Sequence, residues 1–322
     1  MQRRLTPVID HERRRTLPEE IVQPAHREHV ILGMTAALGA FLMFTVMNVF
    51  AKLLSASHSV IEISFYRNLV ACLPFLVLVF GFGRRDILVI RSKPKIVAAR
   101  AVLGSITLAT TFAAYALMPM AETAALLFTA SLFVPVLGVL FLGEKVGPYR
   151  WSAVVVGFLG VLVMLKPEAG MNTLGLAVAL CAALLQAVMS ILLRHLGGHE
   201  RPETISLYFF MIGTLLTGLA LPFVARTPAF SEIPLFFGVG ISGAAAQWLY
   251  SVAFRNAPAA IVAIFNYSSI VWATLFGWLI WNEWPLPIVL FGAAIVIASN
   301  ALIIWRESRL YRRAEVHIRD RV

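Results

Sequence analysis

Charge is scarce in this chain: 14% of its 322 residues are Asp, Glu, Lys or Arg, against 59% hydrophobic. Soluble domains carry roughly a quarter charged residues, so a water-facing globule of this size is excluded. Cysteine is nearly absent. Cys72 and Cys181 both fall inside apolar runs with no CxxC or metal-ligand spacing, which excludes a disulfide framework and leaves two small packed hydrophobes. Aspartate is reduced to Asp10, Asp86 and Asp320, and these, with all seven histidines, lie at or beyond the ends of the apolar runs. No GxxxxGK[ST] segment is present, so ATP drive has no site. Gly238, Gly240 and Gly243 match GxGxxG, but they open an apolar helix instead of following a strand, and close helix packing explains them. No nucleophile–base pair or metal cluster sits within the apolar runs. Catalytic residues, metal and cofactor are therefore not expected, and the chain does not read as an enzyme.

What the chain has in abundance is apolar length. About 20 apolar residues cross the hydrocarbon core as a helix, and ten such runs can be read: Val30 to Leu54, Val60 to Phe80, Ile96 to Leu117, Thr123 to Leu142, Trp151 to Leu165, Leu174 to Leu196, Thr204 to Val224, Ile233 to Phe254, Ala259 to Trp281 and Leu286 to Trp305. Residues 1–29 form a polar stretch with Arg13-Arg14-Arg15 and no apolar core, expected to be a disordered tail without a cleavable signal. Residues 306–322 make a second basic tail. With the N-terminus inside, 23 of the 27 lysines and arginines fall on the cytoplasmic side, among them the six from Arg84 to Arg100. The net charge of +10 then reports orientation in a cytoplasmic (inner) membrane, with both termini cytoplasmic, and not affinity for nucleic acid.

The second half repeats the first. An offset of 142 residues sets Leu32 on Leu174, Gly33 on Gly175, Val46-Met47 on Val188-Met189, Ile63-Ser64 on Ile205-Ser206 and Lys52 on Arg194. An offset of 139 sets Gly104 on Gly243, Pro119 on Pro258, Gly138 on Gly277, Glu144 on Glu283 and Pro148 on Pro287. Each half holds five spans, an odd number, so the second repeat runs upside down relative to the first. The expected fold is an all-α integral membrane protein of ten transmembrane helices in two inverted five-helix repeats, residues 30–166 and 173–305. Inverted repeats offer two interchangeable gates around a midplane site, the geometry of alternating-access carriers.

Several stretches resemble the drug/metabolite transporter superfamily, in its ten-helix branch with two EamA-type domains. They are Glu62-Ile-Ser-Phe-Tyr-Arg67, the run from Pro119 through Pro135 to Gly143-Glu144-Lys145, Asn256-Ala-Pro258, Gly277-Trp-Leu-Ile-Trp-Asn-Glu283 and Trp305-Arg306-Glu307. Tyr149-Arg-Trp151 through Val161 to Lys166-Pro167 is similar to the branch holding S-adenosylmethionine carriers, and Glu62 to Arg67 is also similar to riboflavin importers. The halves depart from one another where Gly143-Glu144 is matched by Asn282-Glu283 and Arg67 by Phe209. The resemblance implies a central cavity lined by helices 1, 3, 4, 6, 8 and 9, with helices 5 and 10 peripheral. The substrates it implies range over amino acids, nucleotide-like metabolites, vitamins and toxic compounds.

An ionisable group within hydrocarbon costs about 3 kcal/mol on insertion scales, so each one present needs a reason. Arg67 is read as the deepest charge, with Glu62 and Glu122 nearer the outer side. Glu62 and Arg67, five apart, do not share a helix face. Arg67 either pairs with Glu122 across helices to brace the outer mouth or extends its head to the interface as a static charge. Polar and aromatic candidates for the cavity wall are Asn48, Tyr115, Thr129, Ser131, Gln186, Ser190, Gln247, Trp248, Tyr250, Asn266, Tyr267 and Ser269. They could orient a flat or amphipathic small molecule; interhelical hydrogen bonding is the alternative role for any one of them. Pro135 frees the carbonyl of Ser131 and predicts a kink, either a simple bend or a backbone ligand. Gly157 and Gly160 predict packing against the tenth helix or against a second copy in a homodimer. The expected partners are a small-molecule substrate and the lipid bilayer. A carrier of a small organic metabolite, an amino-acid derivative, S-adenosylmethionine-like or vitamin-like, working without ATP is the reading; a broad toxic-compound exporter and an intramembrane enzyme are the alternatives.

Overall fold

The computed structural model describes residues 23–91, 94–142, 147–164, 172–196, 200–257 and 259–302, all of them helix, turn or short connection. Among the described residues twelve α-helices follow in order: α1 Gln23–Leu54, α2 Val60–Leu76, α3 Pro94–Leu117, α4 Met120–Leu127, α5 Ala130–Leu142, α6 Pro148–Met164, α7 Thr173–Leu196, α8 Pro202–Val224, α9 Ile233–Asn256, α10 Ala259–Asn266, α11 Ser268–Trp281 and α12 Pro287–Leu302. Eight spans among the described residues are long and apolar enough to cross a membrane, counting Met120–Phe141 and Ile261–Trp281 as one each across their breaks. The fifth and tenth expected spans are shorter apolar helices, Trp151–Met164 and Pro287–Leu302, each bordering undescribed residues. Helix α1 begins at Gln23, so residues 23–29, expected to be disordered, are helical. Pro24 is tolerated there because a first-turn N–H has no intrahelical partner to lose. Residues 1–22, the Gly143-Glu144-Lys145 motif and the basic segment from Arg306 lie outside the described residues.

Local chemistry sets the ends. Ser59 caps α2 by accepting the Glu62 N–H. Pro74 lies near the end of that helix, which passes into a π-helical turn, Val77–Gly81, before Gly83 turns the chain at φ 67°. Asn282 adopts the left-handed conformation at φ 54°, and the N–H of Glu283 reaches back to the Gly277 carbonyl at 3.0 Å. After glycine, asparagine is the residue best suited to such a cap, which explains Asn282 where the other half has Gly143.

Packing follows the sequence repeat. α1 packs on α9 as α3 packs on α7; α2 on α9 as α3 on α8; α2 and α8, which are repeat mates, pack on each other. Close approaches agree. A Cβ on Gly104 would meet Phe209 and Met189, and one on its mate Gly243 would meet Arg67 and Met47, the mates of those two residues. Gly238 and Gly240 lie against Phe50 and Val70, so the GxGxxG match is a packing face. A Cβ on Gly160 would lie 2.8 Å from the Gly292 carbonyl, which places this face of α6 against α12.

Candidate functional site

The two helix interruptions are repeat mates. α4 gives way to α5 at Phe128–Thr129 and α10 to α11 at Tyr267, and the offset of 139 sets Phe128 on Tyr267. Their rings meet at 5.2 Å between centroids. At each break the backbone tightens to bonds three residues back, Thr129 N–H to Leu126 O and Ile270 N–H to Tyr267 O. Hydroxyls occupy the neighbouring carbonyls: Thr129 donates to Leu126 O, Ser131 to Phe128 O, Ser268 to Phe265 O and Ser269 to Asn266 O, all at 2.6–2.7 Å. Such side chains compete with helical backbone bonds, so they open the helix and satisfy it at the same place. The interruption lies seven residues before Pro135, and α5 runs on through that proline, so the kink expected at Pro135 is not where this span breaks.

The remaining candidates spread over several clusters. Asn48 of α1 and Tyr115 of α3 are both buried. Tyr250 stands in an aromatic group with Phe41, Phe44 and Phe254. Gln247 donates to Ser206 at 3.4 Å, and Ser190 donates to the backbone of Gln186 at 3.0 Å. Trp248 shares an exposed face of α9 with Phe237 and Ile241 and is 66% exposed, so it does not join the buried candidates.

One end of the bundle is tied across the halves. The Lys52 ammonium, at the end of α1, lies 2.7 and 2.8 Å from the two Glu283 oxygens and donates to Met118 O at 3.1 Å. Glu283 also accepts the Met120 N–H at 3.1 Å, so one carboxylate gathers α1, α4 and the end of α11. Glu122 has Glu283 and Lys52, not Arg67, as its charged neighbours.

At the same end His58 lies 3.0 Å (Nδ1) from Glu62 and 2.9 Å (Nε2) from Glu232, with the Phe236 ring edge-on at 5.0 Å. Glu62 accepts the Arg226 N–H at 3.3 Å, and Ser57 donates to Glu232 at 2.7 Å. Burial opposes ionisation of His58, but bonds to Glu232 and Glu62 and the charges of both outweigh it and hold its pKa above the ordinary 6.5. The sequence reading placed His58 outside the spans and missed this latch.

Arg67 does not pair with Glu122. Its guanidinium lies over Phe209 at 5.4 Å and Phe210 at 4.9 Å, and Nη1 donates to Asn68 Oδ1 at 2.9 Å. It is 2% exposed, which also removes the reading of a head held at the interface. Arg100, assigned from sequence to a cytoplasmic segment, is 6% exposed within α3 and stacks on the same Phe209 at 4.8 Å. The repeat offset carried the signal, since it sets Arg67 on Phe209 and Phe128 on Tyr267.

The sequence profile described as the EamA-like transporter family matches residues 31–166 and again 173–305. The chain belongs to this family. Among similar proteins, a riboflavin transporter of Rhizobium johnstonii is 32% identical over 66% of this chain and 71% of its own length. A pseudopaline exporter of Pseudomonas aeruginosa is 28% identical over 83% and 94%. An S-adenosylmethionine uptake transporter of Rickettsia conorii is 27% identical over 86% and 95%. A solved crystal structure superposes with a TM-score of 0.59 at 17% identity, over 84% of this chain and 98% of the other, and shares the fold. The EamA-type chain is thus a multi-pass membrane protein of a transporter family. Among the described residues no group of three or more His, Cys, Asp or Glu could hold a metal ion.

Proposed function

We propose that this protein is a carrier of the cytoplasmic membrane, with both termini inside, that moves a small organic metabolite by alternating access without ATP. The moving parts are two inverted repeats, residues 30–166 and 173–305. The observation that carries the reading is the pair of breaks at Phe128–Thr129 and Tyr267, which meet across the repeat. Broken spans at a repeat interface are where carriers place substrate and hinge. The mirrored packing of α1 on α9 and α3 on α7 supports equivalent motion of the two halves. The Lys52–Glu283 tie then holds one mouth shut.

Similar proteins carry riboflavin, pseudopaline and S-adenosylmethionine, by name, so the substrate sought here is a polar metabolite with a ring or amino-acid character. The test is proteoliposomes loaded with a bacterial metabolite extract, with mass spectrometry of both compartments. A carrier releases one or a few compounds chemically intact, saturably and without ATP. A modified product overturns the reading, as does efflux equal to protein-free vesicles; efflux of many unrelated toxic compounds replaces it with a broad exporter.

A further inference from the structure

Every described cation at the Lys52 end has a carboxylate or carbonyl partner at close range; in the middle of the bundle Arg67 has only the Asn68 side-chain oxygen at 2.9 Å, and Arg100 only a long bond from Nη1 to the Ile205 carbonyl at 3.5 Å. Arg67 and Arg100 enter from helices that start at opposite ends, α2 and α3, and converge on one ring, Phe209 of α8. Neither pairs with a carboxylate among the described residues. Of those on neighbouring elements, Glu62 is engaged by His58 and the Arg226 backbone, Asp86 by Arg84 and Arg201, Glu200 by the Arg91 N–H, and Glu203 by Arg255. The Nε atoms of both arginines and the Asn68 amide nitrogen are buried without a hydrogen-bond partner. Opposite that amide, α8 carries Gly213, where a Cβ would lie 2.6 Å away. Two permanent cations and several unused donors in a site walled by Phe209 and Phe210 lack one thing, a negative charge with acceptor oxygens. Guanidinium groups take planar or tetrahedral oxyanions best.

We propose that Arg67 and Arg100, with Asn68, bind the carboxylate or phosphate group of a small organic anion. The cluster is buried between α2, α3, α8 and α9, away from lipid, so the oxyanion belongs to a soluble metabolite and not to a lipid headgroup. That the anion is the transported molecule rests on the carrier reading above; that it binds does not.

The test uses the full chain in nanodiscs of neutral phosphatidylcholine, at constant ionic strength, with citrate, glycerol 3-phosphate and, as the uncharged control, glycerol. Thermal shift and equilibrium dialysis of labelled glycerol 3-phosphate are the readouts. Both anions should raise Tm saturably and glycerol should not. Arg100→Gln should weaken half-saturation at least tenfold, Arg100→Lys less, and Arg85→Gln, an exposed cation outside the cluster, less than twofold. The wild-type comparison of anions with glycerol stands even if a variant fails to fold. Absence of saturable stabilisation by either anion overturns the proposal, as does an effect that survives Arg100→Gln unchanged. Stabilisation through Arg100 by phosphatidylglycerol, with none from the soluble anions, assigns the oxyanion to lipid and overturns it too. Flux separates the two readings: an anion that binds but does not cross retracts the carrier and keeps the site, whereas a neutral metabolite moved equally by wild type and Arg100→Gln does the reverse.

Discussion

Replacing Glu283 by Gln removes one charge from the tie that closes the Lys52 end. The substitution keeps the side-chain shape and one acceptor oxygen but removes the negative charge that lies 2.7 and 2.8 Å from the ammonium, leaving it neutral partners, the Met118 carbonyl at 3.1 Å and the Trp281 ring at 4.7 Å among them. The side chains of Lys52 and Glu283 are 10% and 27% exposed. That places the pair between exposed bridges, which contribute below about 1 kcal/mol, and buried ones, whose breakage costs about 3–5 kcal/mol. A loss of about 2 kcal/mol fits hydrogen bonds to charged groups. If the pair exists only while this mouth is closed, the closed-to-open ratio falls by roughly 30-fold, since about 1.4 kcal/mol is a factor of ten. Spin labels at Ala56 and Trp284, both exposed beside the tie, report the distance distribution by pulsed electron resonance. The short-distance population should shrink in Glu283→Gln and in Lys52→Gln, and return in the Lys52→Glu/Glu283→Lys exchange. Unchanged distances in the single variants would refute the reasoning, as would an exchange no better than either.

The His58 latch gives a pH dependence of defined sign. Because the folded pKa lies above 6.5, stability from the imidazolium is complete below about 6.5 and is lost as pH rises through the folded value; Tm should fall over that interval in wild type and stay flat in His58→Gln. Phe128→Ala and Tyr267→Ala should be non-additive, with a coupling of about 0.5–1.5 kcal/mol in a double-mutant cycle of thermal stability; additive effects would dissociate the two breaks. Gly160→Leu forces a side chain where a Cβ would already lie 2.8 Å from the Gly292 carbonyl, and should cost about 1–3 kcal/mol by overpacking; a Tm equal to wild type would place α6 and α12 apart.

What could be read from sequence was what is local or periodic. Apolar length and the doubled spacing announced the spans and the packing glycines, because both are properties of contiguous residues. The position of the breaks was misjudged: a proline draws attention, yet Thr129 and Ser268 open the helices by taking carbonyls with their hydroxyls. Charge partners were also misjudged. Arg67 was read as pairing with Glu122 or as reaching the interface, although a guanidinium can lie on aromatic faces instead, and Arg100 was counted as a loop charge from its place in the chain. Partnership across helices is tertiary, and here only the repeat offset, which sets Arg67 on Phe209, carried a trace of it.

The most direct test is to watch both mouths in one reconstituted sample. A first label pair at Ala56 and Trp284 reads the tied end, and a second at Gly147 and Arg255, exposed on α6 and α9 connections, reads the other. Alternating access by mirrored halves predicts that Glu283→Gln lengthens the first distance while shortening the second. Lengthening at one end with no response at the other would contradict it.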